Sequence, residues 1–192
     1  MILSLFVNYK STPDEQLMER VRLVGDEKAF NELHRRYARL LQGFFFRRLG
    51  GDNQLASDLL QDTFERVWSA RIQYTAEQPF RTWLFTVAYN LCKNIYRSNE
   101  REQAYLESLP TEEPFEEDTT PVQLDTAAFD QALQQELARL NEPQQMLFEL
   151  RFTQEMTIPE IAAIIGIPEG TVKSRLHTLT NYLRLKLKDY EE

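Results

Sequence analysis

The sequence predicts an all-α protein made of two small helical domains joined by a flexible acidic linker. Three observations carry that prediction. The 192 residues are 42% hydrophobic and include twelve phenylalanines, enough apolar material for helical cores. Glycines number only six, and no run alternates apolar with polar residues as a half-buried strand does; apolar residues recur instead at spacings of three and four. Charge is uneven along the chain. Residues 1–100 hold 14 basic and 12 acidic side chains, residues 101–130 hold one and nine, and residues 131–192 hold seven and nine, so the net charge of −8 sits in the middle stretch.

Thr12 and Glu15 have the spacing of a capping box, with Pro13 between them, and open a short helix through Leu17, Val21 and Val24. A second helix follows Gly25, in which Phe30, Leu33, Tyr37, Leu40, Leu41 and Phe44 form one stripe while Arg35, Arg36 and Arg39 project elsewhere. The third helix runs from about Asn53 to Ala70. It buries Leu55, Leu59, Leu60, Phe64 and Val67 and leaves Asp58, Gln61, Asp62 and Glu65 on an acidic outer face, which a solvated surface alone would explain. In the fourth helix, PFRTWLFTVAYNLCKNIYRSNER, a core stripe of Leu84, Val87, Leu91 and Ile95 is joined by Phe80, Trp83, Phe85, Tyr89 and Tyr96, more rings than one face can hide. Arg81, Lys93, Arg97 and Arg101 are interleaved with them. Rings on which bases stack, set among cations that follow a backbone, suit a single-stranded nucleic acid; packing of every ring in the core is the plainer alternative.

The middle stretch, residues 101–130, has three prolines and little periodicity, so it reads as the linker, with a solvated spacer as its simplest role. After it, Thr157 and Glu160 form a second capping box with Pro159 in the first helical turn. Ile161, Ile164 and Ile165 give this helix an apolar face, Ala162 leaves room for a crossing helix, and Gly166 ends it in a left-handed conformation. Pro168 and Glu169 open a second helix with Val172, Leu176, Leu179 and Leu183 facing inward. Lys173, Ser174, His177 and Asn181 then lie opposite, with Gly170 and Thr171 at the tip and Arg175 on the flank. Two helices around a glycine turn with a polar face left over describe a helix-turn-helix; a plain helical hairpin with a solvated face has the same pattern.

Composition narrows the setting. The single Cys92 excludes a disulfide framework within the chain and fits a reducing compartment, hence a cytoplasmic protein. No apolar run approaches the roughly 20 residues that cross a bilayer, and MILSLFV at the start is short and lacks a basic flank, so neither a signal peptide nor membrane insertion is expected. There is no phosphate-cradling glycine loop, and His34 and His177 have no companion residues for metal binding or nucleophilic catalysis. No catalytic residue, metal or cofactor is expected.

Taken together, FNELHRRY, DLLQDTFERVW, FRTWLFTVAYNLCKNIYR and, after the linker, EGTVKSRLH resemble the extracytoplasmic-function (ECF) group of bacterial sigma factors of the sigma-70 type. The resemblance covers nearly the whole chain. It implies that residues 1–100 are sigma region 2, 101–130 the linker and 131–192 region 4, in a protein that binds core RNA polymerase and directs promoter-specific initiation, melting the minus-10 element without ATP. The stretch containing Asp58, Leu59, Gln61, Asp62, Phe64, Glu65 and Trp68 would dock on core polymerase. Tyr74, Phe80, Arg81, Trp83, Tyr89, Asn90, Lys93, Arg97 and Arg101 would hold the single-stranded minus-10 element, with Tyr74 and Asn90 at the pocket for a flipped base in the loop Gln73 to Pro79. Gly170, Thr171, Lys173, Ser174, Arg175 and His177 would meet the duplex minus-35 element. An anti-sigma factor is an expected further partner. Rival readings are a polymerase-binding adaptor or sequestering protein and a helix-turn-helix repressor, which should dimerise on a palindrome.

Two departures from the family pattern matter. Thr178, Thr180 and Asn181 stand where cations are common, and IYRSNERE is less basic than usual. Each phosphate left unneutralised weakens DNA binding, so the isolated chain is expected to bind promoter duplex poorly. A relaxed linker of about 30 residues spans roughly 30 Å. The promoter elements, about 17 base pairs apart, are separated by about 58 Å, so polymerase is expected to hold the linker extended.

Overall fold

The structure, a computed structural model, describes residues 8–107 and 125–188. All regular structure among them is helical: α1 Asp14–Val24, α2 Glu27–Arg48, α3 Asn53–Ser69, α4 Phe80–Glu107, α5 Asp125–Ala138, α6 Glu142–Phe148, α7 Ile158–Ile165 and α8 Glu169–Lys186. Single 3-10 turns occupy Tyr9–Ser11 and Arg71–Gln73, and α6 runs into a π turn at Glu149–Thr153. Apart from Ala163–Ile165 of α7, which are grouped with the first, the chain divides into two compact units at Asn99–Glu100.

In the first unit, α1 ends at Gly25, whose φ of 63° lies in the left-handed region a Cβ disfavours. Asp26 then caps α2, its carboxylate accepting the N–H groups of Lys28 and Ala29 at 3.1 Å, while Arg20 donates to it at 2.8 Å. The α2 stripe packs as its spacing dictates, with Leu33, Leu41 and Phe44 fully buried. Phe44 meets Phe45 and Phe85 edge-on, at ring distances of 5.3 and 5.4 Å. Burying each such ring contributes roughly 2–3 kcal/mol.

The capping box expected at Thr12 and Glu15 does not form. Pro13 stands at the start of α1 without a side-chain cap, and the Thr12 hydroxyl donates to the Asn8 carbonyl at 2.9 Å. Arg36 explains this local preference: its guanidinium donates to the carbonyls of Tyr9, Lys10 and Thr12 and to Asp14, drawing residues 9–14 onto α2. Glu15 is thereby released to α4, where it accepts the Phe80 N–H.

The linker boundaries also move. Helix α4 continues to Glu107 and α5 begins at Asp125, so both ends of the stretch expected as linker are helical. The reason is chemical: REQAYLE and α5 as a whole consist mostly of good helix formers, and Pro110, Pro114 and Pro121 all fall between them. The remainder, residues 108–124, lies outside the described residues.

In the second unit, Asn141 and Gln144 close a capping box at the start of α6. Thr157 and Glu160 close the expected one at α7, the Glu160 carboxylate accepting both the N–H (2.8 Å) and the hydroxyl (2.7 Å) of Thr157. Gly166 ends α7 at φ 76°, and α8 buries Val172, Leu176, Leu179 and Leu183. Glu136 of α5 ties to α8 by accepting the Tyr182 hydroxyl at 2.7 Å.

Candidate polymerase and nucleic-acid interfaces

Three surfaces carry the residues singled out from sequence. The first is the outer side of α3. Asp58, Gln61, Asp62 and Glu65 are exposed there, on the helix face turned away from α2. Leu59 and Phe64, placed with them as polymerase contacts, are instead 5% and 4% exposed. They sit about one-third of a turn or more away, on the side that packs against α2, so they hold the face in position and do not present themselves on it.

Beside the acidic residues lies an open groove between α2 and α3, lined by Phe30, His34, Leu60, Phe64 and Trp68, with Gln61 and Glu65 on its rim. Phe30 meets Trp68 edge-on at 5.0 Å, and His34 rests on Phe64 at 4.5 Å. Arg71 braces the indole from outside, stacked at 4.8 Å and donating to the Trp68 carbonyl at 2.8 Å. The α2 half of this groove was not legible beforehand: Phe30 belongs to the core stripe of its own helix, and only the α2–α3 packing leaves its edge open. A half-buried indole in an aromatic groove, rimmed by carboxylates, fits a helical partner that offers apolar side chains and cations.

The second surface is α4 with the loop before it. Phe80 and Phe85 are fully buried, and Tyr74 is 2% exposed, so these rings belong to the core and not to a stacking platform. The excess of rings over one helix face is absorbed because α4 packs against α2 on one side and the Tyr74 turn on another: Phe80 lies 5.5 Å from Tyr37 and 6.2 Å from Tyr74. Tyr74 shapes the loop from beneath, its hydroxyl donating to the Gln78 carbonyl at 2.9 Å; burial pushes that phenol's pKa up. What remains outside is a stripe of Trp83, Asn90, Lys93 and Arg97 with Tyr89 beside it. Trp83 and Tyr89 are half-buried; Asn90, Lys93 and Arg97 are exposed, and Lys93 lies over the Tyr89 ring at 5.9 Å. Arg81, half-buried near the start of α4, lies over Phe85 at 5.8 Å. The Arg101 side chain lies outside the described residues. Rings, an amide and cations along one helix are the means by which a protein stacks bases and follows a strand.

The third surface is α8. Gly170, Lys173, Ser174, Arg175 and His177 are exposed and Thr171 half-buried, all on or flanking the side opposite the four buried leucine and valine positions. No side chain caps this helix; in its first turn the Thr171 N–H donates to the Pro168 carbonyl at 2.9 Å. The hydroxyls of Thr178 and Thr180 bond back to the carbonyls of Ser174 and Leu176, at 3.1 and 2.8 Å. Asn181 pairs with His177 at 2.9 Å. Cationic reach in the first turns of this face therefore comes from Lys173 and Arg175, with Arg184 beside Asn181 near the end of the helix.

Among the described residues no cluster of His, Cys, Asp and Glu has the make-up of a metal site, and no helix is long and apolar enough to cross a membrane. Cys92 is buried within α4.

A family model for Sigma-70 region 2 matches residues 33–102, and one for Sigma-70, region 4 matches residues 130–178. The chain is 32% identical over 170 residues to the ECF RNA polymerase sigma factor RpoE of Cereibacter sphaeroides, covering 88% of this chain and 91% of that one. It is 32% identical over 143 residues to the ECF RNA polymerase sigma factor SigL of Mycobacterium tuberculosis, covering 74% and 80%. Among solved structures, the sigma factor RpoE of Bartonella quintana, in complex with the anti-sigma factor NepR, matches with a TM-score of 0.63 at 26% identity, over 84% of this chain and 98% of that one. The two helical units are those of a transcription initiation factor built from sigma regions 2 and 4. The chain belongs to the ECF group of sigma-70-type RNA polymerase sigma factors, and it is an alternative sigma factor directing transcription initiation.

Proposed function

We propose that this sigma factor docks on core RNA polymerase through the acidic rim and aromatic groove of α2 and α3, holds the non-template strand of the minus-10 element along α4, and reads the minus-35 duplex with α8. The observation that carries this reading is the difference in chemistry between the two nucleic-acid surfaces. Helix α4 offers accessible rings, Trp83 and Tyr89, beside Lys93 and Arg97, which suits unstacked bases. Over its first three turns helix α8 presents Gly170, Lys173, Ser174, His177, Thr178 and Asn181 on its outer side and no ring, which suits the edges and phosphates of an intact duplex. Melting would then need no ATP, since capturing a base in the loop above Tyr74 and along α4 offsets the few kcal/mol lost on unstacking.

The chain acts by binding and not by catalysis, and it works in the cytoplasm beside the polymerase. The Bartonella relative is held by an anti-sigma factor, and a partner of that kind is proposed for this chain as well. Run-off transcription with purified core polymerase, followed by sequencing of the transcripts, tests the reading: the chain should confer initiation at a set of promoters sharing two spaced elements. A chain that binds core polymerase yet yields no specific transcript would overturn it.

A further inference from the structure

Within the second unit, the start of α6 lies against α8 and forms a groove lined by Asn141, Pro143, Gln144, Leu147, Ser174, Arg175 and Thr178. Its α8 side is the outer face proposed to meet the minus-35 duplex, so the groove opens beside the DNA. Its α6 side is made by two amides whose orientation is fixed. In the capping box, Asn141 Oδ1 accepts the Gln144 N–H at 3.0 Å, and Gln144 Oε1 accepts the Asn141 N–H at 3.1 Å. Each carbonyl is thereby held inward on the backbone, and the geometry leaves each NH2 group to face away from it. Leu147, 1% exposed, closes the floor. Among the described residues that line the groove there is a guanidinium, from Arg175, and no carboxylate.

We infer that this groove binds a phosphodiester of the promoter backbone beside the minus-35 element, with Asn141 Nδ2 and Gln144 Nε2 as donors alongside Arg175 and Ser174. The inference rests on the reading of α8 as the minus-35 helix. Amides and a guanidinium both serve as phosphate donors, the amides fixing its position and Arg175 supplying the charge. The groove also answers the scarcity of cations at Thr178, Thr180 and Asn181. The anchoring sits on the neighbouring helix, where a search along α8 alone does not find it.

The capping box supplies a test that separates structure from binding. Gln144→Glu keeps an oxygen for the Asn141 N–H, and Asn141→Asp keeps one for the Gln144 N–H, so both variants retain a sound helix cap. Each replaces a donor with a carboxylate oxygen in the groove. Holoenzymes reconstituted with wild-type, N141D, Q144E and doubly substituted chains are titrated with a promoter fragment over a range of salt, alongside thermal unfolding of the free chains. The expected result is unchanged or higher thermal stability together with at least tenfold weaker promoter binding by the double variant, and a salt slope shallower by about 0.9 for the one phosphate lost. Asn141→Ser, which caps without introducing charge, should fall in between. Equal affinity and equal slope for wild type and Q144E would overturn the inference. A fragment with a scrambled minus-35 element keeps the two readings apart. If wild-type holoenzyme does not distinguish it, the reading of α8 fails and the inference falls with it. If it does, while Q144E behaves as wild type, only the inference fails.

Discussion

The carboxylate of Glu15 on α1 accepts the backbone N–H of Phe80, the first residue of α4, at 3.1 Å. The helix that carries the proposed minus-10 surface thus has its start fixed by another helix, 65 residues earlier in the chain. An unsatisfied first-turn N–H next to the buried Phe80 ring would lose about 1 kcal/mol, as for a missing N-cap. Glu15→Ala is therefore expected to lower stability by about 1 kcal/mol in denaturant unfolding. Promoter melting should fall more than polymerase affinity, because the loop before Phe80 loses its anchor. Glu15→Gln, which keeps an acceptor oxygen, should recover most of both.

Trp68 is the half-buried centre of the α2–α3 groove and fits the description of an interface anchor. Trp68→Ala should weaken binding to core polymerase at least about 30-fold, corresponding to roughly 2 kcal/mol, with the helical content retained. Asp62→Lys and Glu65→Lys act on a different quantity. Exposed rim charges steer encounter, so these variants should slow association and reduce its dependence on salt, measurable by stopped-flow mixing with polymerase.

Along α4, Lys93→Ala and Arg97→Ala should each reduce the salt slope of single-stranded minus-10 binding by about 0.7, the value for one phosphate on a single strand. Trp83→Ala should cost about 1–3 kcal/mol of affinity with the slope unchanged, since stacking carries no counterion release. Fluorescence anisotropy on a labelled oligonucleotide measures both. Equal slopes in all variants would count against a strand path along this stripe.

Glu32 is 7% exposed, and its carboxylate accepts hydrogen bonds from Arg35 and Arg36 at 2.7–2.9 Å. Hydrogen bonding by Arg35, the largest influence, holds its carboxyl well below the ordinary value of 4.5, at about 2. A depressed carboxylate pKa stabilises the fold above the unfolded-state value and loses that contribution as pH falls through the folded one. Stability of the first unit should therefore decline between about pH 4.5 and pH 2, and Glu32→Gln should flatten that decline. Unfolding midpoints measured at a series of pH values check it.

The free chain should bind promoter duplex poorly and gain affinity on joining polymerase. Lys173 and Arg175 are the cations in the first two turns of α8, with Arg184 only in its last turn, and each missing phosphate contact weakens binding further as salt rises. Tight, salt-resistant binding of a promoter duplex by the isolated chain in a mobility-shift titration would contradict this.

The sequence by itself determined the helices whose causes are local. Gly25 and Gly166 adopt the left-handed conformation that ends α1 and α7, Thr157 and Glu160 close their capping box, and Val172, Leu176, Leu179 and Leu183 face inward as their spacing requires. These features depend on residues within one or two turns of each other, so the chain states them directly. It also placed the exposed residues of α3 and α8 on their correct sides.

The tertiary structure decided what depends on partners distant in sequence. Thr12 and Glu15 have cap spacing, but Arg36 takes the segment before α1 and Phe80 takes Glu15. Tyr74, Phe80 and Phe85 are rings on a polar-looking helix and loop, and only the approach of α2 and α1 removes them from water. The residues between 131 and 156 gave no element from periodicity, because most apolar residues of α5 are alanines and α6 is only seven residues long. The capping box of α6 and the packing of both helices against α8 establish them. Helix periodicity records which side of a helix is covered; which residues of another helix cover it, and which are left to meet a partner, is set by contacts the spacing does not contain.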